Sequence, residues 1–304
     1  MKPPSPELSL PLLAAGLFSI AALRSPAPQD KPVEVVDHPV AGPVHYLEGQ
    51  GGNIGVSAGE DGILMIDDQF AELAPKIRAA LEKLGGTVSK GEPRVLLNTH
   101  HHGDHTGGND EFGRVATIVA HENVRRRLES PAPRAGGSSE PMAREGLPLV
   151  TYTDGVTLHF NGEAIRVVHF PSGHTDGDSV VFFTGSNVVH MGDLFFSGRF
   201  PFVDLDGGGS VRGLHANVGR ILAELKDDAK VIPGHGPLSS KADLAKYHAM
   251  LGDALELAGR ALAAGKTAEQ MKKEKLLAKY EAWSWSFVNA DRFVDTLARE
   301  LSGK

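Results

Sequence analysis

Six consecutive positions, His100-His101-His102-Gly103-Asp104-His105, place four imidazoles and a carboxylate directly after the apolar run Val95-Leu96-Leu97. Such a run is costly to bury unless its charges and lone pairs are matched. It lies just after a strand, and a strand end running into a glycine-containing loop lets alternating side chains converge on a point. At period two along an extended chain, His100 and His102 fall on one side and His101 on the other. Imidazole and carboxylate are ligands of zinc, and equally of iron or manganese. The alternative is an exposed histidine-rich tract. Three further candidates speak against it, each just beyond a β-patterned segment. They are His174 in Pro171-Ser172-Gly173-His174-Thr175, Asp193 in His190-Met191-Gly192-Asp193, and His235 in Pro233-Gly234-His235-Gly236. Strand-to-loop junctions on a rigid scaffold are where sites are built, and these junctions read as lying at one edge of a sheet.

The surrounding pattern supplies that scaffold. Short apolar runs predict strands at 44–47, 54–58, 63–66, 95–97, 117–120, 150–153, 157–160, 164–169, 179–184, 187–191 and 231–232. Asn161-Gly162 and Gly185-Ser186 are hairpin turns. Helical spacing covers 71–84, 122–129, 211–225 and most of the chain from about Ser240, with a capping box from Thr267 to Gln270. Ser210 reads as a helix N-cap, residues 130–148 as a surface loop, and Gly49 to Asn53 as a mobile flap. In both halves strands come first and helices after. That order suggests an α+β chain with two sheets packed face to face and helices outside.

Composition bounds the function. With 304 residues, 41% hydrophobic and 23% charged, the chain is an ordinary globular protein. A net charge of −7 argues against nucleic acid as a partner, leaving a small-molecule substrate. The absence of cysteine rules out thiolate zinc sites, iron–sulfur clusters and a cysteine nucleophile. At the N-terminus, Lys2, the apolar run 8–23 and Ser25-Pro26-Ala27 read as a signal peptide. The run is shorter than the roughly 20 residues that span a bilayer. This gives a signal peptide over 1–27, a linker over 28–40, a catalytic domain over 41–260 and a helical extension over 261–304. The mature protein would then be periplasmic or secreted, with no stable membrane insertion.

The ordered set of the Asp67 strand end, His100 to His105, His174, Asp193 and His235 resembles the metallo-β-lactamase superfamily of metal-dependent hydrolases, over about residues 40–250. The resemblance implies an αββα sandwich with two mixed sheets and a binuclear site at one edge of them. It implies that His100, His102 and His174 hold one metal, that Asp104, His105 and His235 hold a second, and that Asp193 bridges them. Two Zn²⁺ are the expected ions, with iron or manganese as alternatives. Three neutral imidazoles leave a tetrahedral position open. A hydroxide bridging two cations would be the nucleophile, oriented by Asp104.

Asp67 ends an apolar strand, where an unpaired carboxylate is costly. It is expected to support a ligand from behind; the alternative is a helix N-terminal role for the helix from Ala71. In Leu194 to Phe202, the aromatics Phe195, Phe196 and Phe202 suit a cleft wall, and Arg199 suits a substrate carboxylate. The same aromatics could instead be core. His101 is expected to be structural, as are the unpartnered His121, His169, His190 and His215.

Several activities fit. One is hydrolysis of a β-lactam, lactone, ester or thioester by a binuclear zinc site. Another is a mononuclear-iron persulfide dioxygenase of the same superfamily, using mainly His100, His174 and Asp193. A nucleic-acid phosphodiesterase is disfavoured by charge, and a non-enzymatic metal binder by the open coordination position. Within the resemblance, an aspartate at 193 is closer to the lactonase and thioesterase branches than to most β-lactamases. An exported stand-alone domain with His105 as a ligand suits instead the histidine-rich branch of β-lactamases. A thioesterase for glutathione adducts normally works inside the cell and has a different C-terminal basic pattern. On the export reading, the mature N-terminus should fall between about Ser25 and Lys31. N-terminal sequencing that finds Met1 intact on cytosolic protein would contradict it.

Overall fold

The central strands are apolar at consecutive positions, so each must be covered on both faces. The computed structural model describes Met1, residues 33–130 and residues 140–303. The expected signal peptide beyond Met1, positions 28–32 of the expected linker and positions 131–139 of the expected surface loop lie outside the described residues. Among the described residues no helix is long and apolar enough to cross a membrane.

Seven strands form the first sheet in chain order: β1 (Val36–Ala41), β2 (Val44–Glu48), β3 (Ile54–Gly59), β4 (Gly62–Ile66), β5 (Val95–Asn98), β6 (Thr117–His121) and β7 (Val150–Tyr152). Pairing is antiparallel from β1 to β4 and parallel from β4 to β7. The second sheet holds β8 (Gly155–Phe160), β9 (Glu163–His169), β10 (Ser179–Phe183), β11 (Val188–His190), β12 (Lys230–Ile232) and β13 (Ser239–Ser240). Their order across the sheet is β13-β12-β11-β10-β9-β8, and only β11 and β12 run parallel.

Period two divides each strand between two layers. Leu64, Ile66, Leu97 and Val119 meet Val167, Val181, Phe183 and Ile232 between the sheets. The intervening Ile63, Met65, Leu96 and Ile118 face outward onto helix α1 (Ala74–Ser89), through Leu73, Ile77 and Leu81. On the far side, Val180, Phe182, Val189 and Val231 pack under the later helices. The result is four layers, αββα. The remaining helices are α2 (Gly103–Thr106), α3 (Asn109–Phe112), α4 (Glu122–Glu129), α5 (Val211–Glu224), α6 (Lys241–Ala263), α7 (Ala268–Lys273) and α8 (Ala290–Leu301).

Two differences from the expected pattern have physical causes. Strand β1 falls largely in the stretch read as linker, because Pro39 masks its alternation; on a sheet edge the missing N–H costs little. The helix expected over 71–84 begins as a 3-10 turn and continues to Ser89.

The helical extension shares the core of the domain. Met271, Leu277, Phe293 and Leu297 are buried in the same cluster as Val180 and Val231, and residues 33–304 form one compact unit. A carboxylate fastens its end. Glu300 on α8 accepts hydrogen bonds from Ser210 Oγ (2.9 Å), Val211 N (2.5 Å) and Arg212 N (3.2 Å), at the N-terminus of α5. That places a negative charge at the positive end of a helix dipole. Glu300→Ala should lower stability by about 1 kcal/mol and the thermal midpoint by about 2–4 °C, read by circular dichroism.

Candidate metal centre

The junctions carrying the candidate ligands come from both sheets, not from one. Strands β4 and β5 deliver Asp67 and the His100–His105 run, while β9, β11 and β12 lead into His174, Asp193 and His235. All emerge at the same end of the sandwich. The seven side chains His100, His102, Asp104, His105, His174, Asp193 and His235 form overlapping groups whose ligand atoms lie within 4.8 Å of one another.

Two sets are visible. In the first, His102 Nδ1 lies 3.1 Å from His100 Nε2 and 2.8 Å from His174 Nε2. In the second, Asp104 Oδ2 lies 3.3 Å from His235 Nε2 and 3.7 Å from His105 Nε2. Asp193 stands between them. Its Oδ2 is 3.4 Å from both His174 Nε2 and His235 Nε2, and its Oδ1 is 3.1 Å from His105 Nε2.

Hydrogen bonds behind the rings fix which nitrogen is bare. His174 Nδ1–H donates to the Phe202 carbonyl (2.7 Å), and His102 Nε2–H donates to Asp204 (2.9 Å). His105 Nδ1–H donates to Asp67 (2.7 Å). Thr99 Oγ1 gives its own proton to Asp67 and accepts from His100 Nδ1–H (3.1 Å). Four imidazoles therefore present lone pairs inward. Lone pairs facing one another at such distances repel unless a cation lies among them. His105 Nε2 and Asp193 Oδ1 are buried and face each other at 3.1 Å, and neither makes a hydrogen bond of good geometry among the described residues, as two ligand atoms of one metal would. The donor set fits a divalent metal.

The electrostatics agree. Burial holds His100 well below the usual imidazole range and takes His174 down to about 4, so both stay neutral. Burial opposes charge on His105 and His235 too, but carboxylates overcome it. Asp193, Asp104 and Asp67 hold His105 well above its usual range, and Asp193 with Asp104 lifts His235 to about 9. Despite burial, His105 and His235 bring Asp104 down to about 2. The carboxylates that favour positive charge on these imidazoles would likewise favour a cation among them.

Asp67 lies behind His105 and makes no cap to the following helix. Its backbone is in the left-handed region (φ 61°), unusual outside glycine. Glycine is required at two close approaches. A Cβ on Gly52 would lie 2.1 Å from the His105 ring, and one on Gly234 would lie 2.0 Å from Asp193 Oδ1.

Two expectations are corrected. Neither Phe195 nor Phe196 is an open cleft wall, since both are buried in one core cluster; Phe195 packs against Tyr247 of α6, with ring centroids 5.2 Å apart. The segment Gly49 to Asn53 is no flap. Asn53 Nδ2 donates to the carbonyls of Pro233 and Gly236, its N–H to that of Gly234, and Gly52 N–H to that of Asp104. These bonds tie it to the loops bearing His235 and Asp104. Phe196 stacks on His235 at 5.1 Å, and the Phe202 ring lies 5.8 Å from both His102 and His174. Arg199 lies over the Trp285 ring at 5.3 Å.

Sequence reasoning missed Asp204 and Asn53, which have no local motif and act across more than 100 positions. It missed the histidine pairs as well. His121 stacks on His169 at 3.6 Å and His215 on His248 at 4.0 Å, while His190 bonds the Asn53 carbonyl. His101 stands behind His102, 4.0 Å from Asp204. Asp204 is held on its other oxygen by Gly207 N–H (2.8 Å). Asp204→Asn should keep the fold and weaken divalent-metal binding by about 10–100-fold, measured by chelator competition. Unchanged affinity would show that the His102 contact contributes nothing.

The profile of the metallo-beta-lactamase superfamily matches residues 48–235, more than half of the chain. Among curated relatives, a hydroxyacylglutathione hydrolase of Rhodospirillum rubrum is 33% identical over 128 residues, 41% of each chain. One of Gloeobacter violaceus is 28% identical over 218 residues, 70% of this chain and 76% of the relative. The chain thus spans well under half of the first relative and about three quarters of the second. The structure of DIM-1 metallo-beta-lactamase superposes with a TM-score of 0.59 at 18% identity, over 72% of this chain and 98% of that one. With its αββα layers and the overlapping His/Asp groups at one end of them, the chain belongs to the metallo-beta-lactamase superfamily.

Proposed function

We propose that this chain is a binuclear zinc hydrolase of activated carbonyl compounds, with small thioesters as its first substrate class and lactones, esters and β-lactams as weaker ones. The observation that carries this reading is Asp193, whose two carboxylate oxygens face both ligand sets. A carboxylate so placed is suited to sharing two cations. The names of the hydroxyacylglutathione hydrolase relatives support the thioester class.

Two zinc ions held there would supply Lewis acidity for a carbonyl oxygen and a water acidic enough to be nucleophilic near neutral pH. The chain's own residues do the rest. His100, His102 and His174 form the all-imidazole set, and Asp104, His105 and His235 the set that includes a carboxylate. Asp104 is the most exposed of the carboxylates in the centre, at 29%. It accepts a hydrogen bond from the attacking water and orients it. Asp67 and Asp204 hold the rings of His105 and His102 in position. The balance is simple: water adds to the carbonyl carbon, the C–S bond breaks, and the proton goes to the departing thiol. A thiolate leaves readily, so the chain needs no strong general acid.

Protein purified without chelator should hold close to two zinc ions per chain and hydrolyse simple thioesters in a chelator-sensitive, zinc-restored manner. Asp193→Ala should reduce turnover beyond the about 10–100-fold typical of a supporting partner, and more than His101→Ala does. One equivalent of redox-active iron with oxygen uptake on a persulfide would replace this reading with the dioxygenase.

A further inference from the structure

The metal centre has an aromatic wall that is only partly satisfied by the protein itself. Phe202 lies beside His102 and His174, and its ring meets Phe287 at 5.3 Å. Phe287 lies 5.6 Å from Trp285, which in turn lies 6.0 Å from His235 and 6.1 Å from Phe196. The chain of rings runs from the first ligand set to the second. It is completed by a short segment between α7 and α8, far from every ligand in sequence. Phe202 and Trp285 are half-buried, and Phe287 is 47% exposed.

The exposed ring is held in place. Arg292 on α8 stacks its guanidinium on Phe287 at 4.2 Å and donates to the Phe287 carbonyl at 2.5 Å. Trp285 is fixed by its Nε1–H to the Phe200 carbonyl (2.9 Å) and its backbone N–H to Val288 (3.1 Å). Phe202 and Trp285 border the candidate ligands and Phe287 extends their surface outward into solvent. An apolar part of a substrate bound there removes it from water, and the prior ordering lowers the entropic cost of binding.

We infer that Trp285 and Phe287, with Phe202, are specificity-determining residues that select substrates bearing an aromatic or branched apolar group close to the scissile carbonyl. This rests on the hydrolase reading above and adds the substrate class to it. The apolar group can belong to the acyl side or to the thiol side, since the rings border both ligand sets.

The test uses full-length protein as purified with its metal and three thioesters. They are acetyl-N-acetylcysteamine, phenylacetyl-N-acetylcysteamine and the acetyl thioester of 2-phenylethanethiol. At least one phenyl-bearing substrate should show the higher kcat/KM. Phe287→Ala should lower that value about tenfold more than the value for acetyl-N-acetylcysteamine, mainly through KM. Phe287→Leu should recover much of the difference. Independently of turnover, the 2-phenylethyl thioether of N-acetylcysteamine, which has no scissile carbonyl, should change tryptophan emission on binding and bind about tenfold more weakly to Phe287→Ala. Equal effects of Phe287→Ala on all three substrates, or thioether affinity unchanged by it, would overturn the inference while leaving the hydrolase reading intact. Binding of the thioether that depends on Phe287, with no thioester turned over, would do the reverse.

Discussion

One buried carboxylate organises this centre. Asp67 is inaccessible to solvent and accepts three hydrogen bonds, from Thr99 N, Thr99 Oγ1 and His105 Nδ1, each 2.7 Å long. Those bonds join the end of β4 to the end of β5 and to the single turn of α2. They set the ring of His105 directly and that of His100 through Thr99. A buried charge without partners would be costly. Here the partners are the groups whose direction matters, so the need to satisfy the charge and the need to aim the ligands have one solution. The left-handed backbone at Asp67, a strained conformation outside glycine, is a local cost that this network offsets.

The same logic recurs on the other side of the cleft. Asp204 orients His102, and the carbonyl of Phe202 orients His174. Asn53 pins the loop of His235 to the first sheet. Since β4 and β5 belong to one sheet and β11 and β12 to the other, the centre depends on the packing between sheets that Leu64, Ile66, Val181 and Phe183 provide. Its geometry is a property of the sandwich as a whole.

How much of this was legible in the sequence follows from range. Both-faces-apolar strands such as 63–66 and 179–184 are local patterns, and their positions were read to within about two residues. The histidine run and the three later strand-end candidates were visible because each carries its own local context. What escaped reading was non-local. Asp204 and Asn53 act on partners more than a hundred positions away, and stacked pairs such as His215 with His248 join different helices. β1 was hidden by Pro39, which removes a donor only where an edge strand does not need it. Phe195 and Phe196 are adjacent and chemically alike, yet one enters the α6 core and the other stacks on His235. Composition sees no difference between them; the direction of each side chain from the loop decides it.

That difference bears on how specificity can change while the chemistry stays. The candidate ligands sit at strand ends and on a helical turn, the rings of His100, His102, His105 and His174 are fixed by hydrogen bonds from behind, and glycine is forced at 52 and 234 by contact with His105 and Asp193. Altering any of these would disturb the geometry of the His/Asp groups, so there is little room for variation there. The rings of Trp285 and Phe287 are different. They lie in a connection between helices, are anchored mainly by backbone bonds and by Arg292, and hold no ligand in place. A chain that must keep seven groups aimed at one point can still vary the wall facing them when the wall comes from another part of the sequence. Because α8 is buried through Phe293 and Leu297 and capped onto α5 by Glu300, that wall is rigid despite its distance in sequence from the ligands. Rigid support is what allows a partly exposed ring to discriminate between substrates.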